Sequence, residues 1–247
     1  MPDTASERGS RGAASPGSLK VGGVTPFTAT DFPGLLAAVV FVQGCPWRCG
    51  YCHNTHLQPR TRRAAVDWRN VMHLVSRRMG LIDGVVFSGG EPTADPALAQ
   101  AIGDVRKLGF KVGMHSAGTH PRRFEHVLPL LDWVGFDVKA PFEEYERVTR
   151  VRGSGEPARR SLEALLASGV DFECRTTAHP RLLSEQELLA LAQTLATMGV
   201  KRYVLQIFRK QGSRDAALNA VEVFGYPSET TIERIRGLFQ SFDIRRA

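Results

Sequence analysis

The chain has 247 residues, of which 43% are hydrophobic and 23% are charged, as in globular proteins that form one sizeable domain. Its net charge is +7, but the arginines are scattered and do not alternate with aromatic residues, so we expect no nucleic-acid binding. The longest apolar run, residues 35–42, is far shorter than the roughly 20 residues that cross a bilayer, so we expect no membrane association and a cytoplasmic location.

The first 19 residues differ in composition from the rest of the chain. They consist mainly of Gly, Ser, Ala and Arg, with almost no side chain that a core would bury. Such segments gain too little from burial to offset the entropy of ordering. We therefore predict a disordered tail at residues 1–19 and one folded domain at residues 20–247.

The folded part alternates short apolar runs with helix-length segments. The predicted strands are residues 36–42, 84–88, 110–115, 133–138, 171–177 and 202–208, and the predicted helices are residues 67–79, 95–108, 121–131, 157–168, 184–198 and 228–239. Six strand–helix units predict a parallel sheet, with fewer units than the eight of a closed barrel. We predict an α/β fold, an open partial (β/α)6 TIM-like barrel, with a doubly wound open sheet as the alternative. Functional residues should lie at the carboxyl ends of the strands.

Three cysteines follow the first predicted strand. Cys45, Cys49 and Cys52 have the spacing C-x3-C-x2-C, and three thiolates this close can converge on iron–sulfur or zinc. Structural zinc sites usually have four ligands, so zinc would need His53 or His56 as the fourth. A cluster with three protein ligands instead keeps one iron open for a substrate.

The fourth cysteine, Cys174, lies inside the predicted fifth strand with apolar or small neighbours. Free cysteine is among the residue types most often buried, and it packs as a small hydrophobic side chain. We therefore expect it to belong to the core rather than to the metal site.

The cysteine loop resembles the cluster-binding loop of radical S-adenosylmethionine enzymes, including the aromatic residue Tyr51 before the last cysteine. The resemblance implies a [4Fe–4S] cluster on the three cysteines, with S-adenosylmethionine on the open iron. Reduction of the cluster would then cleave the cofactor to a 5′-deoxyadenosyl radical, which takes a hydrogen atom from the substrate. Residues 20–247 would form the radical S-adenosylmethionine domain.

The second predicted strand runs into Ser88, Gly89, Gly90 and Glu91. This segment resembles the family's GGEP motif, which binds the amino group of the cofactor's methionine. Glycines let the backbone approach a ligand closely, and Glu91 offers either an anionic anchor or a helix N-terminal cap. The resemblance therefore implies that all four residues contact the cofactor.

The other expected cofactor contacts lie at the ends of later strands. Asp137 and Lys139 are two residues apart and share one face of a strand, and they match the family's D-x-K element. Lys139 would suit the cofactor's carboxylate. Ser116 and Arg175, at the ends of the third and fifth predicted strands, complete the expected set.

Five segments, residues 21–28, 31–34, 41–54, 84–93 and 175–177, are similar to glycyl-radical-enzyme activating enzymes, and among these to the activating protein of anaerobic ribonucleoside-triphosphate reductase. This implies that the radical removes hydrogen from a backbone glycine of a partner, the anaerobic ribonucleotide reductase. It also implies a flavodoxin- or ferredoxin-type reductant. The rival hypotheses are a small-molecule radical enzyme, such as a 7-carboxy-7-deazaguanine synthase, and a non-catalytic metal-binding module.

One position departs from the family pattern. Where the family often has D-[TS]-[NS]-G at the end of the third strand, residues 115–118 read HSAG. In pyruvate formate-lyase activase that aspartate helps to hold a monovalent cation beside the cofactor. With His115 in its place, we do not expect such a cation site.

Overall fold

The computed structural model describes residues 18–246. Residues 1–17 of the predicted tail therefore lie outside the described residues. Its last residue, Leu19, is only 1% exposed, and Lys20 N–H donates to Asp95 Oδ2 at 3.1 Å. The folded part thus begins by residue 19.

The described residues form one sheet of eight strands in sequential order. All neighbouring pairs are parallel except the first, in which β1 runs antiparallel to β2. The strands are Val21–Thr28 (β1), Ala37–Val42 (β2), Gly84–Gly89 (β3), Lys111–Ser116 (β4), Trp133–Asp137 (β5), Asp171–Ala178 (β6), Arg202–Ile207 (β7) and Ser241–Arg245 (β8).

Helices alternate with the parallel strands. Over residues 18–246 they are Trp68–Ser76 (α1), Leu98–Lys107 (α2), Pro121–Val127 (α3), Tyr145–Thr149 (α4), Gly155–Ser168 (α5), Glu185–Met198 (α6), Ala216–Asn219 (α7) and Glu229–Arg236 (α8). Short 3-10 turns occupy Thr55–Leu57, Pro92–Ala94, Leu128–Leu130 and Phe142–Glu144. In the described part, no helix is long and apolar enough to cross a membrane.

This architecture confirms the predicted open partial barrel, since β2 to β7 and their helices are the six predicted units. The two outer strands were not predicted. β1 contains Gly22, Gly23 and Pro26, which are poor strand formers, and an edge position tolerates them. β8 has only five residues and lies close to the end of the chain, where its alternation is too short to distinguish from a loop.

The two faces of the sheet have different roles because successive strand side chains point to opposite sides. One face packs against the helices and forms the main core, with fully buried residues such as Phe87, Val134 and Leu205. The other face lines the interior of the barrel. At the amino ends of the strands the rings of Phe32 and Trp133 stack with centroids 5.7 Å apart and fill this interior.

Candidate active site

A pocket of about 190 Å³ opens at the carboxyl ends of β2 to β7. All but one of the residues that the sequence predicted for the site line it: Cys45, Cys49, Cys52, Tyr51, Ser88, Gly89, Gly90, Glu91, Ser116, Asp137 and Lys139. These residues come from four separate stretches of the chain. The parallel sheet brings them together because its strands end at the same edge.

The cysteine loop, residues 43–54, follows β2 and is held from two sides. Cys45 N–H donates to Gln58 O at 3.0 Å, and Arg48 N–H donates to Thr149 O at 2.9 Å. The Arg48 guanidinium also donates to Cys45 O at 2.6 Å. These hydrogen bonds give a fixed path to a segment that has no regular secondary structure.

The loop presents free thiols to the pocket. Burial, with a smaller contribution from the Glu91 carboxylate, raises the pKa of Cys45 to about 12. Burial also raises the pKa of Cys49. Metals and clusters bind thiolates, so loading such a site releases protons. Three converging sulfur donors suit an iron–sulfur cluster.

The other candidate ligands are placed differently. His53 lines the pocket, but its Nε2 lies 3.1 Å from Arg209 O and its ring stacks on Phe208. His56 is exposed and is absent from the pocket lining, and Cys174 is fully buried in the main core on the other face of β6. Within residues 18–246, no three His, Cys, Asp or Glu side chains form a group that would hold a single metal ion.

The turn after β3 lies directly against the cysteine loop because its glycines lack side chains. A Cβ atom on Gly90 would lie 2.4 Å from Gly44 O, and one on Gly89 would lie 2.5 Å from Val42 N. Gly89 also has a φ of +115°, which side chains other than glycine rarely adopt. In this close approach Gly90 N–H donates to Val42 O and Glu91 N–H donates to Gly44 O, both at 2.9 Å.

Glu91 connects this turn to the end of β4. It is 1% exposed, and its Oε1 accepts from Thr93 N–H, Thr93 Oγ1 and Ser116 Oγ at 3.1, 2.6 and 2.8 Å. Its Oε2 accepts from Ala117 N–H at 2.9 Å. The side chain therefore caps the Pro92–Ala94 turn. Oε1 already accepts from three donors and Oε2 from only one, so a further donor in the pocket would use the second lone pair of Oε2.

Lys139 provides the positive charge of the pocket. Its Nζ donates to Tyr51 Oη at 3.2 Å, lies 3.8 Å from Asp137 Oδ2 and sits 5.4 Å from the centre of the Tyr51 ring. Burial alone would lower the pKa of Lys139, but the ionisable Tyr51, Cys49 and Asp137 around it raise that pKa well above its usual value. Lys139 is therefore an ammonium group at neutral pH, available to an anionic group of a ligand.

Arg175 is the predicted site residue that the structure does not place in the pocket lining. Its Nε donates to Asp137 Oδ1 at 2.9 Å, and its Nη2 donates to Gly135 O at 3.2 Å. A Cβ atom on Gly135 would lie 2.6 Å from the guanidinium, so the glycine makes room for it. Because its side chain turns back over β5 to Asp137, this geometry does not support a cofactor contact by Arg175, which stays a prediction.

His115 occupies the interior between Ser88 and the loop before β2. Its Nε2 lies 2.9 Å from Asp31 O and its Nδ1 lies 3.4 Å from Ser88 Oγ. A carbonyl only accepts, so Nε2 carries the proton and Nδ1 accepts from the serine. Burial, and then the Arg175 cation, lower the pKa of His115 to about 3. The ring is therefore neutral in the folded protein.

The pocket also contains residues that we did not predict as cofactor contacts: Trp47, His53, Asn54, Gln58, His115, Ala117, Thr177 and Gln206. For the strand residues, the alternation of faces would have identified them. Thr177 and Gln206 are register partners on β6 and β7, and Thr177 is two residues beyond Arg175 on the same face. The contacts from the cysteine loop have no such periodic signal.

Comparison with known proteins agrees with this architecture. The sequence profile of the radical SAM superfamily matches residues 39–195. A protein of Methanocaldococcus jannaschii that is named as a glycyl-radical enzyme activating enzyme is 28% identical over 202 residues, which cover 79% of this chain and 82% of that protein. The pyruvate formate-lyase-activating enzyme of Clostridium pasteurianum is 32% identical over 117 residues, or 44% of this chain and 48% of the enzyme.

Two solved structures share the fold at low sequence identity. SuiB of Streptococcus suis, bound to its precursor peptide SuiA, superimposes with a TM-score of 0.63 at 10% identity. The match covers 85% of this chain and 48% of SuiB. Methylornithine synthase superimposes with a TM-score of 0.61 at 13% identity, and the match covers 83% of this chain and 63% of the synthase. The profile match extends over more than half of the chain, and the fold agrees with it. The chain therefore belongs to the radical SAM superfamily, whose enzymes use a [4Fe–4S] cluster and S-adenosylmethionine.

Proposed function

We propose that this radical SAM enzyme is a glycyl-radical enzyme activating enzyme. The observation that carries the proposal is the similarity to the Methanocaldococcus jannaschii relative, which extends over most of both chains. The Clostridium pasteurianum enzyme adds a second relative of the same kind, although this chain spans only about half of its length. The finer proposal is that the partner is an anaerobic ribonucleotide reductase, and the sequence resemblance supports it.

In this proposal Cys45, Cys49 and Cys52 hold the cluster. The donor set supports the assignment, because the pocket contains these three thiols. Of the other candidate ligands, His53 contacts Arg209 O, and His56 and Cys174 do not line the pocket. When bound, the cluster and S-adenosylmethionine supply a 5′-deoxyadenosyl radical that removes a hydrogen atom from a partner glycine. The protein's own contribution is to place both reactants and to exclude water from them.

The surrounding side chains are matched to a zwitterionic ligand. We propose that Ser88, Gly89, Gly90 and the free acceptor site of Glu91 receive the cofactor's amino group. Ser116 Oγ donates to Glu91 Oε1 at 2.8 Å and so holds the Glu91 carboxylate in position.

On the opposite wall, Lys139 with Asp137 and Tyr51 forms the remainder of the proposed cofactor site. The Lys139 ammonium would bind the cofactor's carboxylate, because it has three donors and the structure shows it donating only to Tyr51 Oη, with Asp137 Oδ2 at 3.8 Å. Arg175 acts only through Asp137, which it holds at 2.9 Å.

A polypeptide substrate is also favoured by a second set of relatives. The PqqA peptide cyclase of Gluconobacter oxydans is 27% identical over 161 residues, which cover 61% of this chain and 44% of the cyclase. The relatives named here that are similar in sequence are thus activating enzymes and a peptide cyclase, which favours a protein or peptide over the small-molecule alternative. A peptide cyclase is the second candidate function.

The test begins with anaerobic reconstitution of the cluster and dithionite-driven cleavage of S-adenosylmethionine. We expect 5′-deoxyadenosine from the wild-type enzyme and none from Cys45→Ala, Cys49→Ala or Cys52→Ala. Cys174→Ala is the matched control and should keep nearly full cleavage, because its thiol lies in the core. Absence of 5′-deoxyadenosine from the reconstituted wild type would refute the radical chemistry.

The partner is tested by electron paramagnetic resonance. After the enzyme is mixed with an anaerobic ribonucleotide reductase, we expect a glycyl-radical doublet on the reductase. A doublet only on another glycyl-radical enzyme would keep the activase and exclude this partner. Cleavage of the cofactor without a doublet on any such enzyme, together with a crosslinked peptide product, would select the peptide cyclase instead.

A further inference from the structure

A second pocket, also of about 190 Å³, reaches the cysteine loop from another side. It shares only Cys45 and Gln58 with the first pocket, and neither Cys49 nor Cys52 lines it. Its remaining lining includes two exposed arginines, Arg48 and Arg60. The second pocket is therefore a separate route from the protein surface to Cys45.

The second pocket is strongly basic. Arg123 stands beside it, since Arg60 Nη2 and Arg123 Nη1 donate to the same Ala94 O at 3.2 and 2.8 Å. His120 completes the group, and after burial the charges of Arg123 and Arg60 lower the pKa of His120 while Glu91 raises it. We call Arg48, Arg60, His120 and Arg123 the Cys45 surface.

The arginines of the Cys45 surface have no acidic side chain paired with them in the described part of the chain. No Asp or Glu lines the second pocket, and none of the three arginines of the Cys45 surface forms an ion pair with any of residues 18–246. Arginines elsewhere, such as Arg106 and Arg202, are paired with aspartates. Unpaired arginines clustered around a pocket are typical of a surface that meets an acidic partner.

The chemistry of the proposed function indicates which partner fits. Cleavage of S-adenosylmethionine consumes one electron, and electron transfer slows steeply with distance, so a donor must approach the cluster closely. The first pocket is occupied by the cofactor and the substrate in the proposed function. The Cys45 surface is the second approach to a cluster ligand that the pockets provide.

We propose that the Cys45 surface is the docking site of an acidic one-electron carrier protein. The inference rests on the proposed function, because it requires a cluster on Cys45. For a flavin carrier, the hydroquinone gives one electron to the cluster and becomes the semiquinone, while no bond to either protein forms or breaks. The role of the enzyme's residues is to attract and orient the carrier, which acts mainly on the association rate.

The test compares two reductants on the reconstituted enzyme. Cluster reduction is followed by loss of visible absorption, once with reduced flavodoxin and once with photoreduced 5-deazaflavin, which is too small to need a docking surface. The variant is Arg60→Glu/Arg123→Glu. The matched control is Arg77→Glu/Lys201→Glu, which reverses two exposed charges at the opposite ends of the strands.

We expect the Arg60→Glu/Arg123→Glu variant to lose at least about tenfold in the second-order rate with flavodoxin at low salt, since steering contributes 10-fold or more. Its affinity for flavodoxin, measured by titration of the holoenzyme, should fall in parallel. Reduction by deazaflavin should be unchanged, and the control variant should match the wild type with both reductants. Equal flavodoxin rates in wild type and variant would overturn the proposal.

Two further outcomes are decisive. If the glutamate variant fails to take up its cluster, the Arg60→Gln/Arg123→Gln variant replaces it in the test. If the rate of that variant with flavodoxin then depends on salt as steeply as the wild-type rate, the docking site is overturned. If the variant instead activates the glycyl-radical partner poorly with deazaflavin as electron source, the surface belongs to that partner and the carrier proposal is wrong. Failure of the proposed function itself is distinguished by the absence of 5′-deoxyadenosine with either reductant.

Discussion

At the scale of single residues, the polar side chains inside the barrel are arranged so that each is held by a neighbour. Asp137 lies between Arg175 and Lys139, at 2.9 and 3.8 Å. Burial alone would raise the pKa of Asp137, but Arg175 and then Lys139 outweigh it and lower that pKa. Buried charges persist only when they are paired in this way.

His115 provides a prediction at this scale. Its pKa is about 3 in the folded protein, against 6.5 for an ordinary histidine. Between these values the unfolded chain binds a proton that the folded chain does not, so acid favours unfolding. The contribution of His115 to stability is therefore complete above about pH 6.5 and declines as the pH falls towards 3.

We expect the free energy of unfolding to fall less between pH 7 and about pH 4.5 in His115→Gln than in the wild type. Glutamine can still donate to Asp31 O but does not titrate. Urea unfolding at the two pH values measures the difference, and His126→Gln, at an exposed position of α3, serves as the control. Identical pH dependence in wild type and His115→Gln would contradict a neutral ring held between Asp31 O and Ser88 Oγ.

At the scale of elements, the site depends on how closely the cysteine loop and the turn after β3 approach each other. Backbone hydrogen bonds of 2.9 Å join the turn to Gly44 of the loop and to Val42 at the end of β2. The alternation of strand faces then adds β4 to β7 to the same pocket. The loop and the turn thus form one side of the pocket, and the ends of β4 to β7 form the other.

Gly90→Ala tests this approach. The added methyl group would meet Gly44 O at 2.4 Å, so the turn and the loop must separate. We expect a loss of about 2 kcal/mol in the free energy of unfolding, as for an overpacked core, and weaker binding of S-adenosylmethionine by the reconstituted enzyme. Chemical denaturation and equilibrium dialysis measure the two effects.

Gly103→Ala is the matched control for that substitution. Gly103 lies in α2, where a Cβ atom would meet nothing within 4 Å. Alanine in a helix is favoured over glycine by about 0.5–1 kcal/mol, so this variant should be slightly more stable and bind the cofactor normally. Equal effects of the two substitutions would show that the spacing between loop and turn does not matter.

At the scale of the whole molecule, the barrel is open. Within the described chain, β1 pairs only with β2 and β8 pairs only with β7. β8 is fixed by a bidentate ion pair in which Arg245 Nη1 and Nη2 donate to Glu173 at 2.7 and 2.9 Å. Glu173 is 7% exposed and faces the barrel interior, so the last strand partly closes the open side with a charged contact.

Arg245→Ala should lower the free energy of unfolding by about 2 kcal/mol, because it leaves a buried carboxylate without its partner. Arg69→Ala removes an exposed pair, with the arginine 71% exposed, and should change stability by less than about 0.5 kcal/mol. Adding Glu173→Gln to Arg245→Ala should recover part of the loss. If Arg245→Ala and Arg69→Ala have the same small effect, β8 is not held by this ion pair.

Much of the fold and of the pocket followed from the sequence because its signals are local. The cysteine spacing, the Ser88–Glu91 segment and the apolar runs of β2 to β7 are each contained in a few consecutive residues. A parallel sheet then brings the strand ends together without further information. For this reason the superfamily and the barrel were predicted from the sequence, and eleven of the twelve expected site residues line the pocket.

Only the tertiary structure decided features that depend on residues far apart in the chain. The orientation of Arg175 is set by Gly135, 40 positions away, and the neutral state of His115 is set by burial and by the Arg175 cation. The Cys45 surface joins residues from the cysteine loop, its exit and the start of α3, and no sequence pattern links them. The physical reason is that hydrogen bonds, desolvation and charge act through space, whereas periodicity and spacing report only on neighbours along the chain.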